Sequence, residues 1–213
     1  MSDKIIDVQN AIQDFIWQKV ISTGFEYEEL FDTGNPNIDY QRVQWNWTQD
    51  GERPVYPYIY LSHSARVSND FGNFYEYESR TVNDVKKLYK IEKQFNRFTF
   101  GVVVNTACKL TQSGDLGYIS GNKIAGYLKK CFKSDEANDW FSGGENDAGV
   151  NIGIQTNGIT EIIYLPEYED VRPRHRFRFE VTVNWTDVFE TEVNLARAVR
   201  DVDTNEIISL EEE

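Results

Sequence analysis

Side chains that could carry out acid–base or nucleophilic catalysis are few in this chain of 213 residues. Its two histidines are His63 and His175, and His63 lies between Ser62 and Ser64. A serine beside a histidine could be a nucleophile with its base, but adjacent residues of a strand point to opposite faces. His175 has no nucleophile or orienting carboxylate at a recognisable spacing. The sequence therefore favours a sheet-face or interface role for His175, and we expect no catalytic residue and no enzyme.

Motifs for metal ions and cofactors are also missing from the sequence. The two cysteines, Cys108 and Cys131, form no CxxC pair and no Cys/His cluster, so neither a zinc site nor a disulfide framework is expected. The acidic residues between Asp135 and Asp147 lack the spacing of a calcium loop. No Gly-Lys-Ser/Thr sequence marks a phosphate-binding loop. We expect no metal and no cofactor, and we interpret Cys131 as a small core residue.

The clearest strand pattern of the chain carries its one concentration of positive charge. From Arg174 to Trp185, polar and apolar residues alternate with a period of two. The arginines of this region are Arg172, Arg174, Arg176 and Arg178. A nucleic-acid surface is disfavoured, because this is a single strand in a strongly acidic protein. Contacts between these arginines and acidic residues of a neighbouring subunit are the favoured interpretation.

The balance of charge limits the partners of the chain. It has 22 basic and 35 acidic residues and a formal net charge of −13. Duplex DNA carries roughly one negative charge per 1.7 Å, so this chain has no general electrostatic attraction to DNA. No segment approaches the roughly 20 apolar residues of a membrane span, and the N-terminus lacks the apolar core of a signal peptide. We therefore expect synthesis in the cytoplasm and no membrane contact.

Helical periodicity marks two segments that flank the predicted strands. Apolar residues recur at steps of three and four between about Lys4 and Ser22, and Gly24 follows as a helix-terminating residue. A second helix is predicted from about Ile119 to Phe132. Three glycines weaken that helix, so packing must stabilise it. These glycines are Gly117, Gly121 and Gly126.

The remaining regular patterns predict a sheet. Alternation indicates strands at 43–47, 58–67, 98–106 and 174–185. The turn signal Asn157-Gly158 predicts a hairpin between Val150–Ile154 and Ile159–Tyr164. The predicted fold class is α+β, a mostly antiparallel sheet flanked by two helices, in a single domain 1–187. A long hairpin or loop insertion at about 68–94 and a C-terminal arm at 188–213 complete the prediction.

Two aromatic segments remain outside this predicted core. The insertion contains Phe71, Phe74, Tyr75 and Tyr77, and it is either a projecting hairpin that touches another subunit or an ordinary pair of strands. The polar segment 134–149 is predicted to be a flexible loop, with Trp140 and Phe141 in its middle. Aromatic residues make up 14% of the chain, and such rings either fill a β-rich core or lie at contacts with other chains.

The order of these elements resembles the phage neck or tail terminator family. The resemblance covers about Lys4 to Asp187. It rests on an N-terminal amphipathic helix and on four sequence segments that follow it. These segments are RPVYPYIYL, QFNRFTFGVVVNT, a helix ending in LKKCF, and ITEIIYLPEYEDVRPRHRFRFEVTVNW.

The resemblance implies a structural virion protein that is made in the host cytoplasm. Members form a closed ring, commonly of six copies, that ends the tail tube and joins it to the head connector or stopper proteins. DNA passes through the lumen without sequence-specific binding. We expect the contacts with other subunits or with the tail tube protein to involve the arginines and the two aromatic segments. The candidates are Arg174, Arg176, Arg178, Phe71, Phe74, Tyr75, Tyr77, Trp140 and Phe141.

Other functions remain open from the sequence alone. Another neck or baseplate adaptor, such as a head-completion protein, would share the acidity and the richness in aromatic rings. A carbohydrate- or ligand-binding module would use exposed rings as a stacking surface, with Trp45, Trp47, Tyr56, Tyr58 and Tyr60 as its candidates. A hydrolase would require carboxylates that converge in a pocket.

Overall fold

The computed structural model describes residues 3–22, 24–32, 34–35, 39, 42–45, 56–83, 85–112, 114–144, 152–154, 158–169 and 172–193. The chain divides into two compact units. The first unit comprises Met1–Val67 and Arg97–Trp185, and the second comprises Ser68–Asn96 and Thr186–Glu213.

The N-terminal helix forms where the periodicity predicts it. This helix, α1, spans Asp3–Val20, within two residues of the expected bounds. Its residues at steps of three and four form one completely buried stripe, consisting of Val8, Ile12, Phe15, Ile16 and Val20. A helix whose apolar residues follow this spacing is stabilised mainly by the burial of that stripe.

Two further helices follow α1 in the first unit. The short helix α2 spans Glu28–Phe31, and α3 spans Leu116–Phe132. Asp115 caps α3, because its side chain accepts hydrogen bonds from the backbone N–H groups of Gly117 and Tyr118. The predicted second helix is confirmed and begins slightly earlier than expected.

Two of the glycines of α3 allow the helix to approach the sheet closely. A Cβ atom added to Gly117 would lie 1.9 Å from the carbonyl oxygen of Ala107. A Cβ atom added to Gly121 would lie 2.6 Å from the ring of Phe177. A Cβ atom added to Gly126, by contrast, would have no neighbour within 4 Å beyond its own helix. Glycine has a low helix propensity, but at Gly117 and Gly121 it is required because any side chain would clash with the closely packed sheet.

The segment after α3 differs from its prediction as a flexible loop. Helix α4 spans Asp135–Asp139, and a π-helical turn follows at Trp140–Gly144. Ser134 caps α4 by accepting a hydrogen bond from the backbone N–H of Ala137. The aromatic side chains at 140 and 141 pack on the core and hold this segment in a helical form. The rest of the predicted loop, 145–149, lies outside the described residues.

Nine strands are defined in the described residues. The long ones are β2 (Tyr58–Val82), β3 (Val85–Ala107) and β9 (Arg172–Val193). The short ones are β1 (Val43–Trp45), β4 (Leu110–Thr111), β5 (Gly114–Asp115), β6 (Gly153–Ile154), β7 (Ile163–Tyr164) and β8 (Glu167–Glu169). Strands β4 and β5 pair with each other, and the other seven form one sheet.

The sheet is organised around β9. Its order is β1-β2-β3-β9-β6, and β7 and β8 also pair with β9. Strands β6, β7 and β8 are each antiparallel to β9, whereas β1 is parallel to β2. The α+β class with a mainly antiparallel sheet is confirmed. Three short strands thus cover successive parts of one side of β9, which limits the unpaired edge that β9 exposes.

The predicted hairpin between residues 150–154 and 159–164 is wrong. Ile154 of β6 pairs with Val183, whereas Tyr164 of β7 pairs with Phe177. The two short strands therefore bond to different parts of β9 and not to each other. The apolar alternation correctly predicts strands here, but the partner of each strand is decided by long-range packing. Asn157, the first residue of the expected turn, lies outside the described residues.

Parts of β2, β3 and β9 form the described portion of the second unit. Strands β2 and β3 are neighbours in the sheet and are joined through Asn83, whose φ of 53° places it in the left-handed region. A connection this short requires antiparallel strands. Strand β9 continues to Val193, beyond the arm boundary predicted after residue 187. The remainder of the predicted arm, 194–213, lies outside the described residues.

The core of the first unit lies between the helices and one face of the sheet. The ring of Phe132 in α3 lies 5.1 Å from that of Phe15 in α1, measured between centroids. On the sheet side it lies 6.0 Å from Phe100 and 6.3 Å from Phe179. Much of the aromatic content therefore fills this core. None of the described helices has the length and apolar character of a membrane span.

Candidate functional site

The predicted arginines lie on the face of the sheet opposite the helices. Along β9, Phe177 and Phe179 are buried in the core, while Arg174, Arg176 and Arg178 alternate with them and are half-buried. Successive strand residues point to opposite faces, so the three arginines share one face. We call these three residues the arginine face.

Each arginine of this face contacts residues of its own chain. The guanidinium of Arg174 lies 5.6 Å from the ring centroid of Tyr56. Arg176 donates a hydrogen bond from Nε to Oδ1 of Asn105, at 3.1 Å. Arg178 forms an ion pair with Glu180, with an N–O distance of 2.7 Å. These contacts hold the side chains in defined positions on the sheet.

A glycine of β3 makes room for the arginine face. A Cβ atom added to Gly101 would lie 2.7 Å from Oγ of Ser62 and 3.0 Å from Nε of Arg178. The absence of a side chain at this position allows Arg178 to lie close to the strand backbone. Nearby, burial raises the pKa of Tyr58 to about 12, reinforced by Tyr56 and opposed by the arginines. The Tyr58 phenol is therefore neutral beside them.

The aromatic residues of the second unit differ in their exposure. Phe74 and Tyr75 expose 56% and 53% of their surface, whereas Tyr77 is half-buried. The ring of Phe74 packs edge-on against Phe95, with centroids 5.7 Å apart, and Phe95 is itself exposed. The side chain of Phe71 lies outside the described part of the structure. Phe74, Tyr75 and Phe95 thus present aromatic surface to solvent in this protomer.

Exposed ion pairs connect the strands of the second unit. Arg80 contacts Glu190 at 3.0 Å, and Lys87 contacts Glu192 at 2.9 Å. Lys93 pairs with Glu76. Exposed pairs of this kind contribute about 0–1 kcal/mol each, so they orient the strands more than they stabilise the fold.

The remaining aromatic candidates pack against the core of the first unit. Phe141 is completely buried, and its ring lies 4.9 Å from that of Phe15. Trp140 is partly buried and donates a hydrogen bond from Nε1 to the carbonyl of Ala11, at 3.3 Å. A completely buried ring offers no surface to another chain, so the assignment of Phe141 to an interface is corrected to a core role.

Two of the rings proposed for a carbohydrate-stacking surface, Trp45 and Tyr58, pack into the protein. Trp45 donates a hydrogen bond from Nε1 to the carbonyl of Gln9, at 2.8 Å, and its ring packs against Phe98 and Phe100. Tyr58 is buried, and Trp47 lies outside the described residues. Trp45 and Tyr58 therefore do not supply the exposed stacking surface that such a module needs.

The structure keeps His63 apart from the neighbouring Ser62 side chain. The Nε2 atom of His63 lies 3.1 Å from Nε2 of Gln9, and its ring packs on Phe98 at the core side. Ser62 faces Gly101 on the other side of the sheet. The two side chains cannot act together as nucleophile and base.

One polar cluster was not anticipated from the sequence. His175 is buried, with Nε2 located 2.6 Å from Oδ2 of Asp115 and Nδ1 located 2.8 Å from the Tyr164 hydroxyl. Cys108 completes a group of three ligand-type side chains. Burial opposes ionisation of Asp115, but hydrogen bonds from the Lys109 backbone, Cys108 and His175 hold the pKa of that carboxyl well below its usual range.

This cluster does not have the arrangement of a nucleophilic catalytic site. A thiol nucleophile needs a histidine nitrogen that can take its proton. Both ring nitrogens of His175 instead face other partners, the carboxylate of Asp115 and the hydroxyl of Tyr164. Sequence spacing could not reveal the cluster, because His175 lies 60 residues after Asp115. Two features of the sequence did point to members of this cluster. Asp115 stands at the start of α3, where it caps the helix, and the alternation along β9 places His175 on the buried face.

A comparison with known protein families identifies the family of this chain. The chain matches the family described as phage neck terminator protein over residues 7–213, which is nearly its whole length. The chain belongs to this phage neck terminator family. It is therefore a structural component of the neck region of a bacteriophage tail, as the resemblance implied. No curated protein matches the chain.

Proposed function

We propose that this neck terminator assembles as a closed ring of identical subunits, six being the expected number, at the head–tail junction. In this role the ring ends the tail tube, contacts the tube protein and the head connector or stopper, and lets DNA pass through its lumen. The role is structural and not catalytic. The family match over residues 7–213 carries the proposal. An interface between unlike surfaces of neighbouring copies generates such a ring when its rotation closes.

The arginine face supports the proposed contact between subunits. Arg176 and Arg178 are hydrogen-bonded to Asn105 and Glu180, so their side chains are ordered before any partner arrives. An ordered row of positive charge loses little conformational entropy on binding. The chain also carries 35 acidic residues, which give each copy surfaces complementary to the arginine face of the next.

The exposed rings of the second unit support a second contact. Phe74, Tyr75 and Phe95 are large, exposed aromatic side chains. Aromatic residues are enriched where chains meet, because they bury a large area with few rotatable bonds. We assign these rings to contacts with a neighbouring subunit or with the tail tube protein. Phe71 and Tyr77, also predicted to make these contacts, belong to the same proposal.

Charge reversal tests the arginine face directly. The double variant Arg174→Glu/Arg176→Glu places two acidic side chains where the interface needs basic ones. We expect it to remain folded, as judged by circular dichroism, but to lose the ring in light scattering after size exclusion and in negative-stain images.

A matched pair of lysines controls for the change in net charge. Lys130 and Lys133 are exposed. Lys130 lies in the last turn of α3 and Lys133 caps that helix, so neither belongs to the strand that carries the arginine face. The variant Lys130→Glu/Lys133→Glu changes the net charge equally and should still form rings. Rings of unchanged abundance in the arginine variant would reject this interface, and a wild-type chain that stays monomeric at high concentration would reject the ring itself.

A further inference from the structure

We propose that Cys108, Asp115 and His175 form a binding site for a divalent transition-metal ion, with Zn²⁺ as the ion that their chemistry fits best. One ligand atom from each of these side chains lies within 4.8 Å of the other two. Thiolate, imidazole and carboxylate are the groups by which proteins bind zinc. Three protein ligands leave a fourth position for water or another group. This proposal does not depend on ring formation.

The three side chains come from separate parts of the first unit. Cys108 directly follows β3, Asp115 ends β5 and caps α3, and His175 lies in β9. Oδ1 of Asp115 is fixed by the backbone N–H groups of Lys109 and Gly117, each at 3.0 Å. Oδ2 of Asp115 is thereby turned toward His175. A metal ion here would join the connection before α3 to the central strand of the sheet.

A hydrogen bond orients the histidine for metal binding. The Tyr164 hydroxyl lies 2.8 Å from Nδ1 of His175, so Nε2 is the nitrogen that faces Asp115. Metal-binding histidines usually have their second ring nitrogen held by such a partner, which fixes the ring orientation. The ring of Tyr118 packs edge-on against His175, with centroids 5.7 Å apart. The imidazole is therefore held in place before an ion binds.

The site borders a cleft at Cys108, and an ion requires a small change in its geometry. Cys108 is one of the residues that line a cleft of about 590 Å³, whereas Asp115 and His175 are not among its lining residues. His175 Nε2 and Asp115 Oδ2 now lie 2.6 Å apart. Two ligands of a tetrahedral zinc ion with bonds of about 2.0–2.1 Å are separated by about 3.3 Å. An ion therefore requires Oδ2 and Nε2 to move apart by about 0.7 Å, while the hydrogen bonds that anchor Oδ1 of Asp115 and Nδ1 of His175 are kept.

Cobalt provides the most direct probe, because its spectrum reports a thiolate ligand. The full chain is reduced, freed of metal and titrated with Co²⁺ and then with Zn²⁺. We expect one Co²⁺ per chain with a thiolate-to-cobalt charge-transfer band, and displacement of the cobalt by Zn²⁺. At a zinc concentration about 100 times its Kd, the Tm should rise by about 5–10 °C.

The second cysteine provides a matched control. Cys131 is half-buried in α3, away from Asp115 and His175 in the sequence. Cys108→Ser should abolish the charge-transfer band and weaken zinc binding at least tenfold, because loss of even an outer-shell partner of a metal ligand typically costs about 10–100-fold in affinity. Cys131→Ser should change neither. A wild-type chain that binds no Co²⁺, or binding that Cys108→Ser leaves unchanged, would overturn the proposal.

Discussion

Single glycine positions in α3 have opposite roles, although their sequence context looks alike. A Cβ atom at Gly121 would lie 2.6 Å from the Phe177 ring and 2.8 Å from Oγ1 of Thr106. A Cβ atom at Gly126 would have no neighbour within 4 Å beyond its own helix. The first glycine is required by packing. The second retains only the entropic cost of glycine in a helix.

A pair of alanine substitutions separates these two roles. Gly121→Ala should lower the free energy of unfolding by about 1–3 kcal/mol, because the ring of Phe177 must move from its place in the core. Gly126→Ala should raise it by about 0.5–1 kcal/mol through helix propensity alone. Urea denaturation of the two variants and the wild type measures both. Equal shifts in the same direction would contradict the tight helix–sheet contact.

At the residue scale, the sequence predicts which face of a strand a residue occupies better than it predicts which distant residues that side chain contacts. The alternation from Arg174 to Trp185 separates buried from half-buried side chains at every position except Thr182, which is buried although it lies on the polar face. The meeting of Cys108, Asp115 and His175 could not be predicted in this way. It depends on the docking of α3 beside β9, and no local period encodes that contact.

At the element scale, the segment after α3 shows why composition can mislead. The sequence between Ser134 and Gly149 is polar and rich in glycine, which is typical of a loop. Its two aromatic side chains nevertheless pack toward α1, and they hold Asp135–Asp139 and Trp140–Gly144 in helical form. Burial of two large rings outweighs the weak local preference for a loop. Long-range packing likewise decides that β6 and β7 pair with different parts of β9.

Truncation of the buried ring tests this account of the segment. Phe141→Ala should lower the free energy of unfolding by about 3–5 kcal/mol, because it leaves a cavity beside Phe15. The neighbouring Ser142 is exposed, so Ser142→Ala should stay within about 0.5 kcal/mol of wild type. Chemical denaturation of the isolated protomer distinguishes them. A Phe141→Ala protomer of normal stability that fails only in assembly would restore the interface interpretation.

At the scale of the whole molecule, the charge balance disfavours binding to DNA. The net charge of −13 opposes the approach of phosphate. The basic row on β9 consists of Arg174, Arg176 and Arg178. These side chains contact Tyr56, Asn105 and Glu180, respectively, of the same chain. The proposed ring would benefit from such a balance, because a surface that repels phosphate does not slow the passage of DNA.

Binding of duplex DNA should therefore be undetectable at physiological salt. We expect fluorescence anisotropy of a labelled duplex to give a Kd weaker than about 10⁻⁴ M, the upper end of ordinary non-specific binding. Arg174→Glu/Arg176→Glu should leave the signal unchanged, because those arginines are assigned to protein contacts. Micromolar binding that weakens with salt and disappears in this variant would instead identify the arginine face as a nucleic-acid surface. The same variant thus distinguishes a subunit contact from a DNA contact, according to whether assembly or anisotropy changes.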